Sequence, residues 1–205
     1  MSKSKKIINK KSLSFLKEYL NNPSPTGFEI EGQKLWLKYL SPYIDEHIVD
    51  NYGTFVGVIN PGQDFKVVIE AHSDEISWFV NYITDDGLIY VIRNGGSDHQ
   101  IAPSKRVNIH TEKGIVRGHF GWPAIHTRRS GEKENVPVLK NIFIDCGCVS
   151  KEEVLEKGIH VGCVITFDDE FEQLNDRYYL GSALDNRKGG FVIAEVARML
   201  KEIKK

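Results

Sequence analysis

The chain has 205 residues, 40% hydrophobic and 27% charged, a composition ordinary for a soluble globular protein and a length that suits one large domain or two small ones. Its 27 Lys and Arg nearly balance 28 Asp and Glu, so no whole-molecule field points to nucleic acid or an anionic membrane as partner. The basic opening "MSKSKKIINKK" leads into no apolar signal-like core, and no apolar run approaches the length of a bilayer span.

In chain order, "SLSFLKEYL" sets Leu13, Leu16 and Leu20 at helical spacing with Phe15 beside them. The turn formers "NNPSPTG" end that helix and offer caps to the next. In "FEIEGQKLWLKYL", Phe28, Leu35, Trp36 and Tyr39 can share a helical face despite Gly32. "TFVGVIN" and "KVVIEAH" then read as two strands separated by "PGQD". The second is apolar at Val67, Val68 and Ile69 in succession, which predicts burial on both faces in a helix-covered sheet.

From Ile76 to Phe167 the pattern is almost wholly β, which predicts a small barrel or sandwich. "ISWFVNYI", the turn "TDDG" and "LIYVIR" make a hairpin, "RVNIHT" and "GIVRGHF" follow around "EKG", and "NIFIDCG" and "GCVITF" come later. "SKEEVLEKG" interrupts them as a short helix, with Ser150 as N-cap and Glu153 placed for a capping box. After Phe167, "YYLGSALDNRKGGFVIAEVARMLKEIKK" closes on an amphipathic helix through Ile193, Val196, Ala197 and Leu200. The predicted organisation is an α/β domain over 1–75 and 168–205, with an all-β domain inserted over 76–167.

The chemistry-bearing residues concentrate in "VVIEAHSDEI". Side chains two apart in a strand share a side, so His72 and Asp74 can meet at the strand's C-terminal end, where open α/β sheets place their sites. An imidazole that binds a metal usually gives its other nitrogen to a carboxylate, which Asp74 can supply. Taken alone, the same residues serve equally as a strand-end cap and a solvated loop, and Asp185 as an N-cap or a charge at a helix N-terminus. Glu75 is predicted to point away from Asp74, which argues against a glycosidase pair. The three cysteines include the close pair Cys146 and Cys148; a zinc site there has only Cys163 to complete it, so reduced thiols are the reading adopted. His99, His110, His119, His126 and His160 read as structural or surface residues of the β region, with His110 at a surface or edge. Trp78, Phe79 and Trp122 read as barrel core or subunit interface.

Taken together and in order, "SPTGFE", "VDNYGTFVGVI", "AHSDEISWFV", "RNGGSD", "IDCGCVSKEE" and "GSALDNRKGG" resemble the glutamyl or deblocking aminopeptidases. These are cytoplasmic dinuclear metallopeptidases that also carry an older endoglucanase label. The resemblance runs from about Ser12 to the last residue. It implies His72 as ligand to one metal, Asp185 as the carboxylate bridging two, and Asp74 as the catalytic acid that supports the site and its water. It also implies zinc, cobalt or manganese as the metal, a peptide substrate, a cytoplasmic location, and homo-oligomer assembly through the inserted barrel.

Family members go on to supply an adjacent pair of glutamates, an aspartate and a late histidine, which have no match before "LKEIKK". The chain is therefore expected to cover the N-terminal part of such an enzyme. A metal-dependent aminopeptidase, incomplete as this chain, is the first reading. A non-catalytic fragment that only oligomerises is the second, and a carbohydrate-active enzyme is a distant third.

Overall fold

The computed structural model describes residues 8–128 and 136–203, which fall into two compact units: the residues up to 75 with those from 170 onward, and residues 76–169. The fold is α/β, with helices in one unit and a closed barrel in the other. No helix among the described residues is long and apolar enough to cross a membrane.

The discontinuous unit is built on three helices. Helix α1 (Lys10–Asn21) starts at a reciprocal cap, in which the Asn9 side chain accepts from Ser12 N at 2.9 Å and Asn9 N donates to Ser12 Oγ at 3.4 Å. Helix α2 (Ile30–Leu40) buries Trp36, Tyr39 and Leu40, while Phe28 lies before it and stays exposed. Gly32 is needed there: a Cβ on it would lie 2.1 Å from Ser24 Oγ, so its absence lets the α1–α2 turn close onto the helix. Strands β1 (Glu46–Val49) and β2 (Phe55–Val58) form an antiparallel hairpin.

The segment "KVVIEAH" does not form the buried strand predicted for it. It joins no ladder, and Val67, Val68 and Ile69 are 73%, 81% and 58% exposed. An apolar run can say that a strand should be covered, but only a paired neighbour makes it one, and none among the described residues pairs here.

The last helix, α4 (Leu184–Ile203), turns inward a face that only partly matches the predicted stripe: Ala197 is buried and Ile193 packs against the core, but Leu200 is exposed. It buries Phe191, Ala194, Glu195, Ala197 and Arg198, and leaves Val192 and Leu200 exposed. Two charged residues thus replace part of the predicted apolar stripe. Their charges are satisfied inside: the Glu195 carboxylate accepts from Ser12 Oγ (2.8 Å), Tyr39 Oη (2.5 Å) and Arg198 Nη2 (2.8 Å). One carboxylate thereby joins all three helices. The aromatic core around it stacks Phe15 on Tyr39, with ring centroids 3.9 Å apart.

The continuous unit is a closed barrel of described strands in the order β3-β4-β7-β6-β5-β8. They are β3 (Ser77–Ile83), β4 (Ile89–Asn94), β5 (Arg106–Thr111), β6 (Gly114–Gly121), β7 (Phe143–Asp145) and β8 (Val164–Phe167), all paired antiparallel. The β3–β4 and β5–β6 hairpins fall where turn chemistry puts them. Gly87, at φ +84°, closes the first, with Gly87 N donating to Thr84 O at 3.0 Å.

Trp78 sits wholly buried at the barrel centre, edge-on to Phe120 and Phe167. The short helix α3 (Lys151–Glu156) has Ser150 as its N-cap, but Glu153 turns back to Val149 N (3.0 Å), one residue before the cap. His110 is half-buried and bonded to Thr166 Oγ1 at 2.9 Å, more enclosed than an edge residue, and burial lowers its pKa. Cys146 and Cys148 are free thiols with sulfurs 3.6 Å apart; burial, then the neighbouring thiol, pushes Cys146 up to about 12.

The Glu195 cluster generates a pH-dependent stability. Burial alone would raise the carboxyl's pKa, but the donors from Arg198, Tyr39 and Ser12 outweigh it and hold it below the ordinary 4.5. A depressed folded-state pKa gives stability that is fully present above about 4.5 and lost as pH falls through the lower folded value. Glu195→Ala is expected to cost about 1–3 kcal/mol at neutral pH, because it removes the buried acceptor of Ser12, Tyr39 and Arg198, while Arg198 keeps Glu202 at 2.8 Å. Urea unfolding followed by circular dichroism at pH 7 and pH 3 checks both: the variant should lose much of the wild-type acid sensitivity.

Candidate functional site

The turn between α1 and α2 holds the backbone of the site in place. Glu75 N donates to Ser24 O (2.8 Å), Thr26 N donates to Glu75 O (3.1 Å), and Pro25 and Glu75 form a parallel bridge. With the main chain pinned there, successive side chains leave in opposite directions. Glu75 turns inward, accepting from Ser24 N at 2.7 Å and lying 4.0 Å from Arg187 Nη1. Asp74 turns the other way, accepting from Thr26 Oγ1 (2.5 Å) and lying 2.8 Å from His72 Nδ1. Neighbouring acids with such different partners cannot face one substrate as a pair.

His72 Nε2, the imidazole nitrogen left over, lies 3.5 Å from Asp185 Oδ1. The three residues singled out in the sequence therefore meet: Asp74, His72 and Asp185 form a line from a half-buried carboxylate to one that is 99% exposed. Asp185 stands just ahead of the regular part of α4, since Asp185 and Asn186 are non-helical and joined by a cis peptide.

Two features of "DNRKGG" set the approach of α4 to His72. Gly189 faces Ala71, and a Cβ on it would lie 2.8 Å from the Ala71 Cβ. Gly190 faces Tyr19 in the same way, and its carbonyl accepts from Trp36 Nε1 at 2.8 Å. Arg187, fully buried, donates from Nη1 to Asn22 O at 2.7 Å and from Nη2 to Tyr19 O, with its guanidinium over the Tyr19 ring. It thus satisfies carbonyls at the end of α1 that have no partner inside that helix.

Thr26, Arg187 and Gly189 carry no role in the sequence pattern alone, and Glu75 enters there only as an acid that points away from Asp74. The one signal present was their place inside the two most distinctive motifs, "AHSDEI" and "ALDNRKGG", and in the "SPTG" turn.

The electrostatics follow from these contacts. Burial pushes the Asp74 carboxyl up, but donors from Thr26 and His72 outweigh it and hold it below the ordinary carboxylate value. For Glu75 burial wins: its pKa is raised in spite of the Ser24 N–H and Arg187.

The donor chemistry fits a divalent transition metal as far as it goes. Metal–ligand bonds of 2.0–2.2 Å at tetrahedral angles put two donor atoms about 3.4 Å apart, close to the 3.5 Å between His72 Nε2 and Asp185 Oδ1. The bond from His72 Nδ1 to Asp74 fixes the ring so that Nε2 faces outward. Among the described residues no three His, Cys, Asp or Glu side chains gather into one metal-holding group, so these residues supply a pair of donors with their supporting carboxylate.

Comparison with known proteins agrees along the chain. Residues 53–205 match the family model described as M42 glutamyl aminopeptidase. An Escherichia coli protein with the provisional name aminopeptidase FrvX is 30% identical over 187 residues, spanning 90% of this chain and 52% of its own length. Among solved structures, a TET aminopeptidase from a marine-sediment thaumarchaeon superposes with a TM-score of 0.91 at 29% identity, over 96% of this chain and 56% of that one. The Pyrococcus horikoshii TET1 peptidase, described as assembling into a tetrahedron or a large octahedral shell, gives 0.80 at 28% identity over 93% and 56%. The chain spans about half the length of these relatives.

The close approach at Gly189 gives a test of how the pair is held. In an unencumbered helix Gly→Ala stabilises by about 1 kcal/mol. Here Gly189→Ala is expected to destabilise by about 1–3 kcal/mol, because the new methyl must push α4 off Ala71. Thermal unfolding with and without added zinc measures both effects; the variant should melt lower and lose any zinc-induced rise.

Proposed function

The chain belongs to the M42 glutamyl aminopeptidase family, and on that premise we propose that it carries the first part of the active site of a metal-dependent aminopeptidase, which removes residues from the N-termini of peptides. The observation that carries this reading is the line Asp74–His72–Asp185, with His72 Nε2 turned toward Asp185 at 3.5 Å. In this proposal His72 and Asp185 are metal ligands, Asp185 is the carboxylate shared between two metals, and Asp74 is the orienting acid. Zinc or cobalt are the metals proposed, since an imidazole and carboxylate donor set accepts either.

A divalent cation, when bound, would polarise the scissile carbonyl and lower the pKa of a water bound beside it. The protein's own part is to hold the donors ready. Thr26 and His72 keep Asp74 ionised; Asp74 keeps the proton on His72 Nδ1, which leaves Nε2 with its lone pair outward. The exposed Asp185 remains open to both a cation and a peptide. We further propose that the barrel is an assembly module for a homo-oligomer, a reading supported by the oligomeric shells described for the Pyrococcus horikoshii relative.

Hydrolysis of chromogenic aminoacyl substrates tests the proposal, with the 205-residue chain assayed beside a version extended through any coding sequence that follows it. Activity in the active form should vanish with a chelator and return with zinc or cobalt. Asp74→Asn should lower kcat by about 10²- to 10⁴-fold, and His72→Ala or Asp185→Ala should remove metal binding in equilibrium dialysis. Activity that survives both chelation and Asp185→Ala would sink the metal-dependent reading.

A further inference from the structure

The barrel unit carries a pair of thiols for which the peptidase reading has no use. Cys146 and Cys148 lie between the end of β7 and the start of α3, and Cys146 Sγ–H donates to Cys148 Sγ at 3.6 Å. Residues two apart in an extended strand share a side but stand about 7 Å apart, too far for a disulfide, whose Cβ atoms lie about 4 Å apart. The chain bends here instead. Gly147 takes φ +73°, a left-handed conformation that glycine adopts freely, and Gly147 N donates to Asp145 Oδ1 at 2.7 Å. The far side of the bend is held as well. Val149 N donates to Glu153 Oε2 at 3.0 Å, and Gly87 of the β3–β4 turn comes so near that a Cβ on it would lie 2.8 Å from the Cys148 carbonyl oxygen. The main chain thus brings the two sulfurs together with no bond between them. Cys163, the third thiol, is engaged elsewhere: it is buried, and its Sγ accepts from His160 N at 3.4 Å.

We propose that Cys146 and Cys148 form a reversible dithiol–disulfide site whose reaction partner is a low-molecular-weight disulfide such as glutathione disulfide. Cys146, half-buried, is the sulfur that reacts first; Cys148, only 7% exposed, is the one that resolves. Cys146 gives up its proton and its sulfur bonds to one sulfur of glutathione disulfide, breaking that S–S bond and releasing one glutathione thiolate. Cys148 then loses its proton and displaces the second glutathione from Cys146, leaving the Cys146–Cys148 disulfide. Two protein thiols are oxidised by two electrons, one glutathione disulfide is reduced to two glutathiones, and the two protons pass to them. Closure brings the sulfurs from 3.6 Å to about 2.0 Å, a change for side-chain rotation because the backbone between them is already bent. A ring closed across one residue removes little freedom from the unfolded chain, so this bond is no structural staple. Burial and the neighbouring thiol hold Cys146 protonated, so the pair rests reduced and exchanges slowly. The site lies wholly within the barrel unit and does not depend on metal or on peptidase activity.

The test is equilibration of the reduced wild-type chain overnight, without oxygen, in buffers of stepped ratio of glutathione disulfide to glutathione. Acid quenching, alkylation of the remaining thiols and mass spectrometry of the intact chain and its peptides then report the state of each cysteine. As the ratio rises, the chain should lose two hydrogen atoms, with the new bond mapped to Cys146 and Cys148 and Cys163 still alkylated. Return to reduced glutathione should restore all three thiols. Cys148→Ser removes the resolving sulfur and should accumulate one glutathione on Cys146, whereas Cys163→Ser should oxidise as the wild type does. The peptide map of the wild type needs no variant to fold. No disulfide at the most oxidising ratio, a disulfide that includes Cys163, one that reduced glutathione does not reverse, or no glutathione held by a folded Cys148→Ser chain would each overturn the proposal.

Discussion

The buried guanidinium of Arg187 is the contact on which the site depends. It lies at the start of the regular part of α4, yet its donors go to the last carbonyls of α1, and its charge sits beside Glu75. One side chain thereby ties together three stretches that are far apart in sequence, including those that deliver His72 and Asp185. A cation enclosed this fully is tolerated only where its partners are already in place, so the arrangement is close to all-or-none. Gly189 and Gly190 act with it, by letting the helix backbone come close enough for the guanidinium to reach.

Much of the fold could be read from local pattern. The β3–β4 and β5–β6 hairpins, the two N-terminal helices and the meeting of His72 with Asp74 follow from side-chain period and turn chemistry, which act over a few residues. What could not be read was set by distant partners. The run Val67–Ile69 has the composition of a buried strand, but composition does not supply the neighbour that would cover it. The inward face of α4 is only partly legible because Glu195 and Arg198, which join Ala197 there, count as solvent-facing on any hydropathy scale. Their burial depends on Ser12 and Tyr39, contributed by α1 and α2.

The same reasoning separates the residues of the candidate site. Asp74, His72 and Asp185 stand out because titratable side chains interrupt apolar or Gly-rich sequence. Thr26 and Arg187 look like ordinary surface residues, since a hydroxyl in a turn and a cation in "DNRKGG" are each common. Their importance is visible only once the turn after α1 is seen to lie against Glu75.

The barrel's closure has a bearing on how the discontinuous unit comes together. Its first and last strands, β3 and β8, pair antiparallel with Trp78 opposite Ile165 and Phe79 opposite Val164. Extending that register sets Ile76 against Phe167, so the chain enters and leaves the barrel side by side. For the helical unit, the long excursion then behaves like a tight turn once the barrel has formed. Chain entropy that would oppose bringing Arg187 back to Glu75 across so many residues is spent in closing the barrel, and what remains is the cost of a loop of roughly twenty residues. The barrel is therefore a folding clasp: once formed, it would make the meeting of Arg187 with Glu75, and of Asp185 with His72, a nearly local event.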